Sequence, residues 1–444
     1  MSTLRAALLG LVGLGLVACA SNAVVPATGA RSAIALSPRS LSPGTYIKHV
    51  VIVIQENRSF ENIFAGFPGA NAPMYGYNHL NHKETLTAGN FMGPDMPHGW
   101  KASMAAWNGG KMNGFDMELT QGRPVGARAY EYLARNLVAP YWTMAKRYVL
   151  ADEMFPTEFG ASFTSHLDLI ASTDNLSPTR AEVDWPSAGP WGCEAPTGTW
   201  SWTLDTRRVE HPMGPYPCFT QFRTLADTLD AAGVSWKYYQ SVQGLWSAFD
   251  AIKNVRQGPD WATHVVAPQT QVLADAQSGN LASVSWVVPD NADSDHPGSN
   301  SNTGPSWVSS VVNAIGTGPD WSSTAIVVVW DDWGGWYDNA RPQQKDFVGL
   351  GIRVPCLIIS PYVKPHVSHS QYEFGSVLKF VEQTFGLPAL GPASFGYTDA
   401  RARSFVDSFD FSQHPRPFRT IPAPLDAHYF LTRKPPVEGY VDYE

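Results

Sequence analysis

The chain has 444 residues, of which 44% are hydrophobic and 16% are charged, and its formal net charge is −8. A chain of this length and hydrophobicity can bury a large core. Nucleic-acid binding needs clustered Lys and Arg, and no basic run in this sequence is longer than two residues, which argues against that class of function. The 16 tryptophans, 38 glycines and 35 prolines are typical of an extracytoplasmic hydrolase whose pocket is built from loops.

The N-terminal residues 1–18 predict a signal peptide of the lipoprotein type. Arg5 precedes an uncharged, apolar run that is too short to span a bilayer as a stable helix. The small residue before Cys19 is typical of a bacterial lipoprotein cleavage site, after which a lipidated Cys19 attaches the protein to a membrane. An ordinary signal peptide is the alternative. Residues 19–45 then predict a flexible tether, and residues 46–444 a single exported domain, which is periplasmic, held at the cell envelope or secreted.

The first strong structural signal is an apolar, mostly β-branched run over residues 50–54 that stops at Glu56 and Asn57. Such a run predicts a parallel strand covered by helices on both faces. Parallel sheets bind ligands beyond the carboxyl ends of their strands, so we expect both side chains at that edge, as oxygen ligands for a hard cation. Pairing of Glu56 with Arg58, or capping of the next turn, is the alternative.

A second apolar run, residues 324–330, ends in the same way at Asp331 and Asp332. Adjacent aspartates at the end of a buried strand repel each other, which costs free energy unless a cation or hydrogen bonds compensate. With Glu56 and Asn57 they form an oxygen-rich set that suits Mg²⁺, Ca²⁺, Mn²⁺ or iron. The sequence therefore predicts one divalent or hard transition metal ion. Two solvated loop carboxylates are the alternative.

Three more polar residues are candidates for chemistry. Ser162 stands where apolar spacing predicts the start of a helix, so it is either an N-cap or lies in a field of amide donors that would hold a phosphate. His98 lies in residues 66–128, a segment without sustained periodicity that predicts long loops. His296 lies in a polar stretch beyond a predicted strand.

The second half of the chain alternates predicted strands and helices, which indicates an α/β fold with a doubly wound sheet. Strands are predicted over residues 234–239, 284–289 and 354–360, and helices over residues 222–232, 307–315 and 372–385.

The sequence around the four cysteines predicts different roles for them. Beyond Cys19, an oxidising compartment allows a disulfide between Cys193 and Cys218, which contributes about 3 kcal/mol in the chain-entropy model. Cys356 lies in a buried-strand pattern and is predicted to be an unreactive core thiol.

Five motifs, taken in their order along the chain, resemble those of the bacterial phosphoesterase family of phosphatidylcholine-type phospholipases C and secreted acid phosphatases. They are Gln-Glu-Asn-Arg-Ser-Phe, a His-Gly-Trp loop, Gly-Ala-Ser, Asp-His-Pro and Trp-Asp-Asp-Trp-Gly-Gly-Trp-Tyr-Asp. The resemblance extends from about residue 47 to about residue 412. It implies an alkaline-phosphatase-like, three-layer α/β/α sandwich with a mostly parallel central sheet and long loop insertions. It also implies roles for seven residues: Glu56, Asn57, Asp331 and Asp332 as metal ligands, Ser162 as nucleophile, and His98 and His296 as phosphate contacts, with Asn57 also at the substrate.

Two departures from the family pattern bear on the site. Many members follow the nucleophile with one residue and then Pro-Asn-Arg or Pro-Asn-His, whereas this chain has Thr-Ser-His at residues 164–166. Many also read Tyr-Asp-His after the glycines, where this chain has Asn339. The second departure removes a candidate imidazole near the metal. His369 is either a replacement or a surface residue.

The expected activity is metal-dependent hydrolysis of phosphate esters through a phosphoseryl intermediate on Ser162. His98 and His296 would hold the phosphate oxygens, and one of them would protonate the leaving alcohol. No separate C-terminal β-domain like that of larger phospholipases is recognisable, which favours an acid phosphatase acting on monoesters. A phospholipase C acting on phosphatidylcholine-like diesters is the alternative. A noncatalytic, surface-binding lipoprotein is the alternative from a different class.

Overall fold

A nine-stranded, mostly parallel sheet lies at the centre of the computed structural model, which describes residues 42–242 and 244–435. Numbered in chain order, its strands are β1 His49–Gln55, β2 Val149–Phe155, β3 Trp236–Tyr239, β4 Val265–Val266, β5 Val284–Val287, β6 Thr324–Trp330, β7 Val354–Ile359, β8 His366–Ser368 and β9 Tyr372–Glu373. Their spatial order is β4-β3-β5-β1-β6-β7-β2-β8, and β9 also pairs with β2. Only β7 runs antiparallel to its neighbours, β6 and β2.

Twelve α-helices accompany this sheet in the described part of the chain. They are α1 Phe60–Phe64, α2 Trp100–Trp107, α3 Ala139–Arg147, α4 Ser162–Ala171, α5 Leu225–Ala232, α6 Lys253–Arg256, α7 Pro259–His264, α8 Gln271–Ser278, α9 Gly304–Thr317, α10 Phe374–Phe385, α11 Thr398–Arg401 and α12 Ala427–Thr432. One set of contacts joins α3, α8 and α12 to α9, and another joins α4 to α5 and α10. The central strands β1 and β6 are buried along almost their whole length, so helices and loops cover both faces of the sheet.

Smaller strands build the outer parts of the structure. A four-stranded antiparallel sheet consists of Asn175–Ser177, Arg180–Val183, Trp202–Asp205 and Glu210–His211. Three two-stranded pairs join Tyr75–Tyr77 with Lys83–Thr85, Thr87–Gly89 with Glu131–Leu133, and Leu119–Thr120 with Arg123–Pro124.

The predicted α/β class and mostly parallel sheet are confirmed. The strand predicted over residues 324–330 is observed with those bounds, whereas the helix predicted from residue 222 begins only at Leu225. Thr224 and Asp227 form a capping box there, which fixes the first turn. The prediction of loops throughout residues 66–128 is wrong in part, because this segment contains α2 and several short strands.

The predicted disulfide between Cys193 and Cys218 is present, and Cys356 is fully buried, which raises the pKa of its thiol. The described residues belong to one compact unit. Among them, no helix is long and apolar enough to cross a lipid bilayer. The predicted signal peptide, Cys19 and most of the tether lie outside the described residues, so the predicted boundaries at residues 18 and 45 stay predictions.

One buried ion pair supports the sheet edge where the candidate site lies. Arg353, just before β7, donates from Nε to Asp338 Oδ1 at 2.9 Å and from Nη1 to the carbonyl of Asp152 at 2.7 Å. Both charged side chains are fully buried. Burial raises the pKa of Asp338 while Arg353 lowers it, so the carboxylate depends on this guanidinium for its charge.

Replacing Arg353 by Leu should lower the free energy of unfolding by about 3–5 kcal/mol, because it leaves Asp338 buried without its cation. Urea denaturation followed by tryptophan fluorescence measures this change. Arg207→Leu is the matched control, since Arg207 pairs with Asp205 at the solvent-exposed surface, and its denaturation midpoint should not move. Equal midpoints for the two variants would contradict the assigned role of the buried pair.

Candidate active site

The carboxyl ends of β1 and β6 bring the two predicted acidic motifs together. The strands pair in parallel, with Gln55 opposite Trp330, so Glu56 and Asp331 are the next residues on each strand. The backbone N–H of Asn57 donates to Asp331 Oδ1 at 2.9 Å. All four predicted metal ligands are buried. The alternative of solvated loop carboxylates is therefore wrong.

A tight turn after each strand allows the two acidic motifs to lie close together. Asn57 adopts a left-handed conformation with φ of 55°, which is uncommon for a residue other than glycine. Gly334 has φ of 59°, and a Cβ there would lie 2.0 Å from the Asn57 carbonyl oxygen. Glycine at residue 334 is thus required by close backbone contact as well as by its dihedral angles.

One group of three side chains can hold a metal ion at this edge. Glu56, His166 and Asp331 each offer a ligand atom, and these atoms lie within 4.8 Å of one another. His166 Nε2 is 2.7 Å from Glu56 Oε1 and 3.9 Å from Asp331 Oδ2. Two carboxylates and one imidazole suit a divalent cation of intermediate hardness, such as Mn²⁺, iron or Zn²⁺, as well as Mg²⁺.

Polar atoms around this group fit a bound cation. Asp331 Oδ2 and Asn57 Oδ1 are buried acceptors without a hydrogen-bond partner. A buried acceptor that makes no hydrogen bond lowers the stability of the folded protein. The Asn57 amide is oriented by His98, whose Nε2 lies 2.8 Å from Asn57 Nδ2. Because the amide nitrogen faces the imidazole, the amide oxygen is the atom left for a cation.

Ser162 is the first residue of α4, and Ala161 is the N-cap. The N-cap interpretation of Ser162 is therefore wrong. Its hydroxyl is fully buried and donates to Asp332 Oδ2 at 3.2 Å, while Asp332 Oδ1 accepts from the backbone N–H of Gly334 at 2.8 Å. The amides of the first helical turn have no intrahelical acceptor, so they create a positive end beside the hydroxyl.

His98 and His296 lie near each other on the same side of the site, with ring centroids 6.4 Å apart. His98 Nδ1 lies 2.6 Å from the carbonyl oxygen of Met96, so Nδ1 carries the proton and Nε2 accepts from Asn57 when the ring is neutral. His296 Nδ1 is hydrogen-bonded to the carbonyl of Pro297, and its Nε2 lies 3.7 Å from Asp95 Oδ2.

His166 was not among the predicted site residues. The signal for it was available, since His166 lies four residues after Ser162 and residues at this spacing share one face of a helix. It also occupies the last position of the Thr-Ser-His segment, where many family members have Arg or His. The missing information was the contact between α4 and the end of β1.

The remaining alternatives are also resolved by contacts. Arg58 does not serve Glu56 as its principal partner, because its Nε donates to the carbonyl of Asp295 at 2.8 Å. Asn339 accepts from Arg353 Nη2 at 2.9 Å and so joins the buried ion pair. His369 has a largely exposed side chain and contacts Asp152 at 2.9 Å, which makes it a surface residue.

A large cleft opens beside the two histidines. Its volume is about 1100 Å³, and Asp95 and Pro97 form part of its wall. Three tryptophans, Trp185, Trp200 and Trp202, line it together with Met117 and Leu119. The Trp185 ring lies 5.2 Å from the ring of His98. The cleft therefore offers an aromatic and aliphatic surface next to the polar site.

Comparison with known proteins identifies a matching family and several similar proteins. The model of the Phosphoesterase family matches residues 47–388. Phospholipase C A of Mycobacterium tuberculosis strain H37Rv is 26% identical to this chain, over 84% of this chain and 79% of that protein. Non-hemolytic phospholipase C of Burkholderia pseudomallei strain K96243 is 26% identical over 80% of this chain and 57% of that protein. A solved protein of the alkaline phosphatase superfamily from Vibrio parahaemolyticus is similar with a TM-score of 0.40 and 12% identity, over 79% of this chain and 69% of that one.

Replacing His166 by Ala should weaken metal binding about 100-fold or more, because it removes one of three converging ligand atoms. Elemental analysis of the purified protein after gel filtration measures the bound metal. His369→Ala is the control, since that imidazole lies at the surface, and it should retain the wild-type metal content. A folded His166→Ala protein with unchanged metal affinity would remove His166 from the ligand set.

Proposed function

The chain belongs to the Phosphoesterase family, and we propose that it hydrolyses phosphate esters with a metal ion as cofactor and Ser162 as nucleophile. Family membership makes it a hydrolase that acts on phosphate ester bonds. The proposal for the nucleophile is carried by the hydrogen bond from Ser162 Oγ to Asp332 Oδ2. That bond orients a buried hydroxyl at a positive helix end, beside three converging metal-ligand atoms.

The ligand set supports metal dependence. A divalent cation held by Glu56, His166 and Asp331, with the side-chain oxygen of Asn57, would draw negative charge from a phosphoryl oxygen and so reduce its repulsion of an incoming nucleophile. Asp332 is a predicted ligand too, and its Oδ2 is oriented towards Ser162. This contact favours a role for Asp332 in orienting and deprotonating the serine.

The first chemical step transfers the phosphoryl group to the enzyme. The Ser162 Oγ forms a bond to phosphorus while the bond from phosphorus to the alcohol oxygen breaks, and the hydroxyl proton passes to Asp332. The first-turn amides of α4 are suited to bind phosphoryl oxygens. In the second step, the oxygen of a water molecule forms a bond to phosphorus while the bond from phosphorus to Ser162 Oγ breaks. The phosphate product leaves, and Oγ takes back the proton from Asp332.

His296 is the best candidate for protonating the leaving alcohol. Its Nδ1 is held by a carbonyl, and its Nε2 lies 3.7 Å from Asp95, whose carboxylate stabilises the protonated ring. Asp95 also forms part of the wall of the cleft, so the proton donor lies on the side from which an alcohol would leave. His98 instead orients Asn57 through its Nε2.

The cleft supports an ester whose alcohol is large and apolar, as in phospholipase C substrates. Burial of an acyl chain against Trp185, Trp200 and Leu119 would gain roughly 0.8 kcal/mol per CH₂ group. Relatives named phospholipase C point in the same direction. The acid phosphatase predicted from the sequence receives no such support and is the other outcome of the substrate test. Export and attachment through Cys19 are further proposals.

Replacing Ser162 by Ala should lower kcat by roughly 10⁴-fold or more while leaving the bound metal in place, because the variant loses the nucleophile but none of the three metal-ligand atoms. Turnover of p-nitrophenyl phosphorylcholine and elemental analysis measure the two effects. Ser165→Ala, a buried serine in the same helix, is the control. Wild-type turnover by Ser162→Ala would exclude the phosphoseryl route, and inactivity of the wild-type holoenzyme towards every phosphate ester would favour the noncatalytic alternative.

Replacing Leu119 by Ser should lower kcat/KM for phosphatidylcholine about 10-fold and leave turnover of p-nitrophenyl phosphate unchanged. Leu119 lines the cleft, and its removal affects only a large apolar alcohol. Leu80→Ser is the matched control, because both leucines are 59% exposed and Leu80 does not line the cleft. A wild-type enzyme that cleaves only the monoester would establish the acid phosphatase instead.

A further inference from the structure

A second group of side chains that can hold a metal ion lies outside the candidate active site. Its members are Asp230, Asp260 and His264, and their ligand atoms lie within 4.8 Å of one another. Asp230 belongs to α5, whereas the other two residues lie in α7. Because Asp260 and His264 are four residues apart, they share one face of their helix. The three ligand atoms therefore come from two helices that are separate in the chain.

This group lies at the amino-terminal edge of the central sheet. Two of its members contact Trp236, the first residue of β3, which pairs with Val284 of β5. Val284 also pairs with Val50 near the start of β1, whereas Glu56 follows the end of that strand. Ligands of parallel sheets usually bind beyond the carboxyl ends of the strands. The second group is thus separate from the proposed catalytic metal, and an ion bound there would go beyond the proposed function.

The buried Trp236 orients two of the three ligands. Its indole Nε1 donates to Asp230 Oδ1 at 2.7 Å, and its carbonyl accepts from His264 Nδ1 at 2.9 Å. The imidazole also stacks on the indole, with ring centroids 4.3 Å apart and an angle of 14° between the ring planes. Because a carbonyl can only accept, Nδ1 carries the proton and the neutral ring presents the lone pair of Nε2. Hydrogen bonds of this kind orient the histidines that bind metals in proteins.

His264 Nε2 lies close to the carboxylates without a hydrogen bond to them. Its distance to Asp260 Oδ1 is 4.0 Å, which is too long for a hydrogen bond. Two ligand atoms of a tetrahedral Zn²⁺ ion lie roughly 3.4 Å apart, since each is about 2.0–2.2 Å from the ion. The observed gap is therefore closer to the spacing of two metal ligands than to that of a hydrogen-bonded pair.

The two carboxylates have no basic partner from lysine or arginine. Within the described chain, neither aspartate pairs with Lys or Arg, and the Asp260 side chain accepts no hydrogen bond. Partial burial and the nearby Asp230 raise the pKa of Asp260, whereas His264 lowers it. Two carboxylates that repel each other beside an imidazole lone pair form an arrangement that a divalent cation would stabilise.

We propose that Asp230, Asp260 and His264 bind a Zn²⁺ ion. Carboxylates and imidazoles are common zinc ligands, and three protein ligands leave the fourth position of a tetrahedral ion for water. The imidazole disfavours Ca²⁺ and Mg²⁺, which take oxygen ligands. The side chains of Asp260 and His264 are 29% and 28% exposed, so the ion can enter from solvent.

The ion would stabilise one side of the central sheet. Strand β4 follows His264 directly, has only two residues and is the outermost strand beside β3. So short an edge strand forms few backbone hydrogen bonds with its neighbour. Because α5 precedes β3 and α7 precedes β4, an ion that joins the two helices would hold these paired strands together.

The test is Zn²⁺ titration of the full-length protein after treatment with EDTA and desalting. Calorimetry should detect a Zn²⁺ site that is lost in His264→Phe, a change that removes the ligand nitrogen and keeps a ring on Trp236. Binding at this site should raise the midpoint of thermal unfolding by about 3 °C at a hundredfold excess over Kd. Asp260→Ala should lose the same site and the same thermal shift, and this variant keeps the test valid if His264→Phe does not fold.

Two controls separate this site from other histidines. His166→Ala removes a ligand only from the proposed catalytic group and should keep the Zn²⁺-dependent thermal shift. His211→Ala should keep it as well, because that imidazole contacts Asp205 at 3.1 Å but belongs to no group of three ligands in the described chain.

Two results would overturn the proposal. A thermal shift that disappears in His166→Ala and persists in both His264→Phe and Asp260→Ala would assign the zinc to the catalytic group. Zn²⁺ binding that these two substitutions leave unchanged, or no Zn²⁺ binding by the wild-type protein, would leave a proton on His264 as the charge that compensates the two carboxylates. Activity is not needed for any of these measurements.

Discussion

The repulsion between carboxylates at the ends of two adjacent parallel strands is the constraint on which the site depends. Strands β1 and β6 are apolar and buried on both faces, and their close packing fixes the register in which they pair. Glu56 and Asp331 follow directly and are forced into proximity away from water. A cation, as proposed above, would compensate this repulsion and would also contact the oxygens of Asp331 and Asn57 that have no hydrogen-bond partner.

Helix α4 places the candidate nucleophile next to these carboxylates. One face carries Ser162 and His166, so a single rigid element supplies both the serine and an imidazole beside the acidic pair. Its position is set by packing against α5 and α10 on one side of the sheet. The two strands and this helix therefore fix the distances in the site, whereas His98 and His296 lie in loops beside it.

The sequence predicted those parts of the site that follow from local pattern. Glu56 and Asp331 could be found because each ends an apolar, β-branched run, and the direction of such runs indicates a shared edge. His166 could not be found in this way, because its role depends on where α4 packs, and that is a tertiary contact.

The departure at Asn339 has a structural explanation. Its amide accepts from Arg353 and thereby supports the buried pair with Asp338, so this part of the chain serves the scaffold beneath the site. A proton donor is still needed on the side of the leaving alcohol. Asp95 faces both His98 and His296 and borders the cleft. Since His98 Nε2 is engaged with Asn57, the proposed mechanism assigns proton transfer to the pair of Asp95 and His296, which would protonate an alcohol that leaves through the cleft.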